Sequence, residues 1–489
     1  VTLRGVGHRY PRVGEDVPLD TLTFEKFSHA EFNSPYEEFS LVMELRERRQ
    51  PGRICTHRPL AIYVPPERLE LWQTGRNTHR IERKKAKYRD VELDIFRRYA
   101  LIYQWVKGES ADVALEAVIG DPARRAEELR RLTLKAKAEL QQNGFVVVDH
   151  KPAHLILRRH RRGSLLRNRT GDYAYALIDF ELLQRTPEHE REIQSSRRAA
   201  YLRHQRDRFA TPKGLKYPEH LKPMQIFGVD YVCGHADSTH GMLWVVGRDP
   251  DLFDYFLPER WRRTHGKRLS TTNETYYTLT KDRINLVWKL SRVGEQPDLD
   301  PADPRTNRIA SSGYNSPFEE VAIALDLKAK GVDTIYPRAI YMSGLESTRA
   351  GLYVSDNRRY EAHQGLTTPD GQPALRQAHN YLTIWGFWNG LDEILASKDE
   401  AYCRGVNLAE ACQTGIINDR QARRLLARQQ KRLAVAGYRD LLPKPTHYLL
   451  SLRHSGNLVL NDDGEPTVRI CNFGLLRKHP PLRGKPRSR

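Results

Sequence analysis

Two acidic residues, each at the end of an apolar run, are the most chemically suggestive feature of this chain. Phe145-Val-Val-Val148 leads into Asp149, with Lys151 and His154 close behind, and Tyr173-Ala-Tyr-Ala-Leu-Ile178 leads into Asp179-Phe180. A carboxylate placed where a strand opens into a loop can orient a hydroxyl nucleophile, and a second can hold a cation that neutralises phosphates. Lys151 is placed to contact a transferred phosphoryl group. The remaining reading of the segment is a basic β-hairpin carrying two unrelated acids.

The elements that would position these groups follow from local pattern. Phe145–Val148, Leu155–Leu157 and Tyr173–Ile178 read as strands, and Arg158–Asp172 as a hairpin arm between the last two. Upstream, Pro122–Gln142 has helical periodicity with proline at its first position, and Gly144 suits the end of that helix. Asn33-Ser34-Pro35 starts another helix, with Ser34 as cap, Glu37 and Glu38 in the first turn, and Phe39, Val42, Met43 and Leu45 on one face. Pro59–Val64 is expected as a strand, Val91–Trp105 as an amphipathic helix, and Glu188–Arg208 as a polar helix.

The pattern is written twice. Lys151-Pro-Ala-His154 recurs as Lys444-Pro-Thr-His447, and Asn33-Ser-Pro-Tyr-Glu-Glu as Asn315-Ser-Pro-Phe-Glu-Glu. The spacing is kept, since 179 − 149 = 30 and 472 − 442 = 30, so Asp149 aligns with Leu442 and Asp179 with Asn472. Two anchors repeated in the same order make a tandem duplication. In the second copy Gln225–Cys233, Met242–Val246, Tyr276–Leu279 and Ile284–Leu290 read as strands, the last two as a hairpin around Thr280–Arg283. Gln377–Leu395 and Asn418–Ala436 read as helices, the second ending at Gly437.

Asp149-His-Lys-Pro-Ala-His154 and Asp179-Phe-Glu181 together resemble the D-x-K-x-x-N catalytic loop and D-F-G metal site of the protein-kinase superfamily, including its atypical bacterial members. His154 stands where the family has Asn, Glu181 where it has Gly, and the interval between the acids is longer than usual. The resemblance implies an α+β fold of two tandem kinase-like bilobal domains, with ATP and Mg²⁺ as cofactors. It assigns Asp149 as base, Lys151 as γ-phosphate contact, and Asp179 with His154 as metal ligands. Glu38 and Glu320, or alternatively Glu37 and Glu319, become the helix glutamates. Lys289, in Leu-Val-Trp-Lys-Leu, becomes the nucleotide-contacting lysine of the second copy. Gly266-Lys267-Arg268 is the one hint of a phosphate-covering loop. Thr2 falls where Lys289 does, and the first small lobe is expected to begin before Val1. Lacking both acids, the second copy reads as a pseudokinase.

The expected boundaries are 1–208 for the first domain, 209–222 for a linker, 223–477 for the second domain and 478–489 for a disordered basic tail. At 489 residues the chain is long enough for two cores. No run is long and apolar enough to span a membrane. Five scattered cysteines without a CxxC pair point to a reducing, cytoplasmic setting. Cys233, His235 and His240 match no zinc spacing. The net charge of +19 attracts polyanions, though Arg-rich solvated helix faces give the same total, and Arg158–Arg169 lacks the interleaved aromatics of a nucleic-acid groove. Two functions follow. One is an ATP-dependent phosphotransferase acting on an unidentified hydroxyl acceptor, with a regulatory second repeat. The other is a non-catalytic scaffold that binds nucleic acid or another polyanion.

Overall fold

The computed structural model describes residues 33–47, 54–70, 96–160, 163–168, 170–210, 216–262, 264, 266–270, 273–297, 306–346, 356–386, 404–453, 455–461 and 463–479. It is a mixed α+β structure with several antiparallel sheets. The chain divides into two compact units, Val1–Ala86 with Leu93–Ile193, and Lys87–Glu92 with Gln194–Arg489.

In the first unit, helix α1 (Pro35–Glu47) is followed by β1 (Pro59–Tyr63), which pairs antiparallel with β2 (Ala100–Tyr103). Strand β3 (Glu109–Ser110), the short helix α2 (Ala111–Glu116) and the long helix α3 (Pro122–Gln142) come next. Asp121 caps α3 by accepting from the Ala123 and Arg124 N–H groups, and Leu132, Ala136 and Leu140, four residues apart, form its buried stripe. The helix stops at Gly144, whose φ of 82° is left-handed and suits glycine. Strand β4 (Phe145–Val147) pairs with β7 (Leu183–Arg185), and β5 (Leu155–Leu157) lies between β3 and β6 (Tyr175–Leu177). Helix α4 (Pro187–Arg206) follows β7.

The second unit has an eight-stranded antiparallel sheet. Its strands are β8 (Leu221–Ile226), β9 (Val229–Ala236), β10 (Gly241–Val246), β11 (Gly266–Arg268), β12 (Thr275–Leu279), β13 (Asn285–Leu290), β14 (Pro337–Met342) and β15 (Tyr381–Gly386), in the spatial order β11-β12-β13-β15-β14-β10-β9-β8. Helix α5 (Pro317–Ala329) packs on β14 and β15, with Phe318, Val321, Ala324 and Leu327 buried. Beyond the sheet come β16 (Arg404–Asn407), α6 (Leu408–Gln413), α7 (Asp419–Val435), β17 (Tyr438–Asp440), β18 (Tyr448–Leu452), β19 (Val468–Ile470) and β20 (Leu476–Lys478). β17 pairs with β20, and β18 lies between β16 and β19. These pairings repeat those of β4 with β7 and of β5 between β3 and β6. Isolated bridges repeat too: Arg159 with Leu165 and Arg167 with Tyr173 in one unit, Leu452 with Leu458 and Leu460 with Pro466 in the other.

Several local expectations are corrected. Val91–Trp105 is not a helix through Tyr103, because Ala100–Tyr103 forms the strand that satisfies the backbone of Pro59–Tyr63. Gln377–Leu395 is likewise strand at Tyr381–Gly386, wedged between β13 and β14. Gln225–Cys233 is broken by a turn at Phe227-Gly228, where both residues have positive φ. Gly266–Arg268 is a strand paired with Tyr276–Thr278. The division between units falls at Ile193/Gln194, inside α4 and ahead of residue 208, and Leu221-Lys222 of the expected 209–222 linker open β8. Lys478, expected in the tail, closes β20. Thr2, the arginine-rich charge run Arg80–Arg89 and the tail from Pro480 lie outside the described residues.

Candidate functional site

The strand pairs of the first unit bring the sequence-selected residues together. β4 ends two residues before Asp149, and the next turn runs through Lys151 into a 3₁₀ turn at Pro152–His154. The Ile178 N–H donates to the His154 carbonyl at 3.0 Å, so the end of β6 is stitched beside that turn. His154 Nε2 then lies 3.4 Å from Asp179 Oδ2, and Lys151 Nζ lies 3.9 Å from Asp149 Oδ2. Asp179 has a φ of 69°, a strained conformation for a residue with a side chain. Phe180, fully buried, anchors the turn after it.

Asn33 explains why that turn holds its shape. Its side chain donates to the Phe180 and Leu183 carbonyls at 3.3 and 2.8 Å, and its own N–H donates to the Glu181 carbonyl. Asn315 does the same to Phe473, Leu476 and Gly474 in the second unit. The next residues form a capping box in each: Ser34 with Glu37, and Ser316 with Glu319. Glu37 and Glu319 are thereby committed to the helix start, which leaves Glu38 and Glu320 as the glutamates facing the strands. Glu38 Oε1 accepts from the Tyr103 hydroxyl at 2.6 Å. Glu320, 3% exposed, faces Lys289 Nζ at 3.4 Å.

Electrostatics distinguish Asp149 from an ordinary surface acid. Burial raises its pKa, His154 pulls it down, and the nearby Asp179 charge raises it again. Its Oδ1 is buried and accepts no hydrogen bond. Two imidazoles are kept neutral nearby, because burial lowers His57 and His150 each to about 4. The His57 ring stacks on Tyr103 at 3.7 Å and reaches Phe180 at 5.3 Å, linking the Glu38–Tyr103 pair to the Asp179 turn. Sequence reasoning missed His57, Tyr103 and His150. Only Tyr103 carried a signal, since it aligns across the repeat with Trp385, which stacks on Phe473 at 5.1 Å.

The second unit has the same turn without its acids. Leu442 takes the place of Asp149, its N–H bonded to Asp440 Oδ1 at 3.0 Å, and Asn472 Oδ1 accepts from the Gly474 N–H at 3.1 Å. No protein-family model, curated protein or solved structure matches the chain.

Magnesium favours oxygen donors in octahedral geometry and keeps several waters, so one carboxylate with a bound phosphate suffices. Asp179 fits that role, whereas the His154 imidazole is a poor magnesium donor and sits against Asp179 Oδ2. Among the described residues, His204, Asp249 and Asp251 form a three-residue group able to hold a metal, with His204 Nδ1 2.6 Å from Asp249 Oδ2. Asp249 already caps the turn at Pro250, and Asp251 is largely exposed. No described helix is long and apolar enough to cross a membrane.

Proposed function

We propose that the chain is a tandem protein-kinase-like phosphotransferase, active in its first repeat and degenerate in its second. The observation that carries this reading is that the Ile178 N–H to His154 carbonyl bond ties the end of β6 beside the turn that follows Asp149, with His154 Nε2 3.4 Å from Asp179 Oδ2. A carboxylate with a raised pKa and a free oxygen suits a general base that takes a proton from an acceptor hydroxyl. Lys151, 3.9 Å from Asp149, is near enough to place its ammonium on the transferred phosphoryl group. Asp179 would hold magnesium, which when bound supplies charge neutralisation to the phosphates of ATP. His154, against Asp179, orients that carboxylate.

The second repeat supports the same reading from its other half. Lys289 on β13 and Glu320 on α5 form the lysine–glutamate pair that the resemblance assigns to a nucleotide-binding lobe. With Leu442 and Asn472 in place of the two acids, this repeat retains the pair and lacks the groups for transfer.

The test uses the full chain with Mg²⁺ and γ-labelled ATP, measuring nucleotide binding and phosphate release separately. Asp149→Asn is expected to abolish turnover and leave nucleotide binding intact, while Asp179→Asn weakens magnesium-dependent binding. Turnover that survives Asp149→Asn, or an absence of nucleotide binding, overturns the reading. The competing reading, a polyanion-binding scaffold, rests on the +19 net charge. It requires nucleic-acid binding with a steep salt dependence that survives Asp149→Asn.

A further inference from the structure

The Lys-Pro-x-His turn occurs in both repeats, and its histidine has a different partner in each. In the second repeat His447 Nδ1 lies 3.5 Å from Oδ2 of Asp440, the last residue of β17. Asp440 is closed on protein groups. Its Oδ2 also accepts from the Tyr448 hydroxyl at 3.1 Å, its Oδ1 accepts from the Leu442 N–H at 3.0 Å, and its side chain is 3% exposed. The ring of His447 is therefore held through Nδ1 as part of the scaffold.

The first repeat has no acid in that place. Since 447 − 154 = 293 = 440 − 147, Asp440 becomes Val147, and Tyr448 becomes Leu155. Nδ1 of His154 is buried without a hydrogen-bond partner, so this ring is not held as that of His447 is. Its Nε2 faces Asp179 Oδ2 at 3.4 Å, with both side chains mostly buried. Asp179 is the acid that Asn472 replaces in the second repeat. The imidazole thus faces a carboxylate of the candidate site in the copy that has one, and a scaffold acid in the copy that does not.

The spacing and the donor atoms together specify an ion. Two ligands each about 2.1 Å from one cation stand about 3.0 Å apart at octahedral angles and about 3.4 Å apart at tetrahedral ones. His154 Nε2 and Asp179 Oδ2 can therefore share an ion with little movement of either side chain. Magnesium, which takes oxygen, uses Asp179 and leaves the imidazole idle. A nitrogen beside a carboxylate oxygen suits first-row transition ions, whose affinity for such a pair rises from Mn²⁺ to Co²⁺.

We propose that His154 Nε2 and Asp179 Oδ2 ligate a divalent transition-metal ion in preference to magnesium. This deepens the phosphotransfer reading and rests on it for the use made of the ion, whereas the site itself is defined by the two donors. When bound, such an ion supplies the charge neutralisation to phosphates that magnesium would.

The test titrates the full chain, without nucleotide, with Mg²⁺, Mn²⁺ and Co²⁺ by calorimetry, and reads the Mn²⁺ complex by pulsed electron paramagnetic resonance. Binding is expected to be tightest for Co²⁺ and at least about tenfold tighter for Mn²⁺ than for Mg²⁺, with modulation from an imidazole nitrogen on the Mn²⁺ signal. His154→Asn should remove that modulation and weaken Co²⁺ binding at least about tenfold, leaving Mg²⁺ binding within about twofold because an oxygen donor is kept. Asp179→Asn should weaken all three. The wild-type spectrum depends on no variant folding. His204→Asn, which removes the imidazole of the three-residue group found among the described residues, should keep the modulation. An absence of saturable Co²⁺ binding, a nitrogen-free Mn²⁺ signal, equal Mg²⁺ and Mn²⁺ affinities, or modulation that survives His154→Asn overturns the proposal. Metal binding of the expected kind in a chain that does not bind ATP upholds the site and overturns the phosphotransfer reading, and Mg²⁺-supported turnover without such binding does the reverse.

Discussion

Replacing Lys289 by methionine is the most informative perturbation of the second repeat. Lys289 sits on β13 between Thr275 and Thr383, its side chain 11% exposed and its ammonium 3.4 Å from the Glu320 carboxylate. Methionine keeps the apolar stem and leaves Glu320, 3% exposed, without its cation. Removing one partner of a buried ion pair costs about 3–5 kcal/mol, a large part of a typical domain's total stability of about 5–15 kcal/mol. Burial already raises the Glu320 pKa above its ordinary value even with Lys289 pulling it down. A group with a raised folded pKa favours folding below its unfolded pKa, and that contribution is lost as pH rises through the folded value. Without Lys289 the folded value rises further, so the variant should be most destabilised near neutral pH and recover towards pH 4.5. The double substitution Lys289→Met/Glu320→Leu removes both charges and should regain most of the loss. The assay is urea unfolding of the full chain at both pH values, followed by tryptophan fluorescence, since Trp244 and Trp385 are buried in this unit. A loss below about 1 kcal/mol for the single variant, against the range for broken buried pairs, would refute the reasoning, as would a double variant no more stable than the single one.

Asp282, fully buried between Arg197 and Arg260, should cost about 3–5 kcal/mol when changed to Asn. Burial opposes its ionisation, but Arg260 and Arg197 outweigh it and hold its carboxyl below the usual range, so this stabilisation is present above the unfolded pKa and fades as pH falls through the folded one. Thermal melts across acidic pH check both points. Gly144→Ala and Gly437→Ala both place a side chain at positive φ, at about 1–2 kcal/mol each, but only the first also pushes against His189. The Gly144 variant should therefore lose more stability in parallel urea titrations. Ser316→Ala removes the capping box of α5 and should cost about 1 kcal/mol, read as a shift in the same unfolding midpoint.

What could be read from the sequence was mostly local. Pro122–Gln142 was legible to the residue because a proline start, a stripe at Leu132, Ala136 and Leu140, and a glycine stop all lie within the segment. The duplication was legible because Lys-Pro-x-His and Asn-Ser-Pro recur at matched spacing. Strands β2 and β15 were misread because Ala-Leu-Ile-Tyr and Tyr-Leu-Thr-Ile-Trp are too short for either period to win. Their strand character comes from partners about forty residues away in each case, at Pro59–Tyr63 and Pro337–Met342. Aligning the two runs with each other would have shown that both fall at the same place in the repeat. His57 had no such signal, since its stacking on Tyr103 exists only once β1 and β2 are paired. The choice between Glu37 and Glu38 also needed coordinates, because a capping box and a strand-facing glutamate differ by one position on the same turn.

The two copies keep the same backbone ties and differ in charge. Asn33 and Asn315, the capping boxes at Ser34 and Ser316, and the glycines at 144 and 437 do the same work in each unit. Leu442, with its N–H bonded to Asp440, occupies the turn that holds Asp149 in the first repeat, so the turn does not depend on an acid at that position. Asp149 instead interacts with Lys151 and His154, while its Oδ1 gives up hydration without a hydrogen bond in return. The same comparison separates Glu38, which takes a neutral hydroxyl from Tyr103, from Glu320, which takes the Lys289 ammonium. The repeats thus differ in their charged groups on one backbone plan, with Asp149 and Asp179 in the first and the Lys289–Glu320 pair in the second.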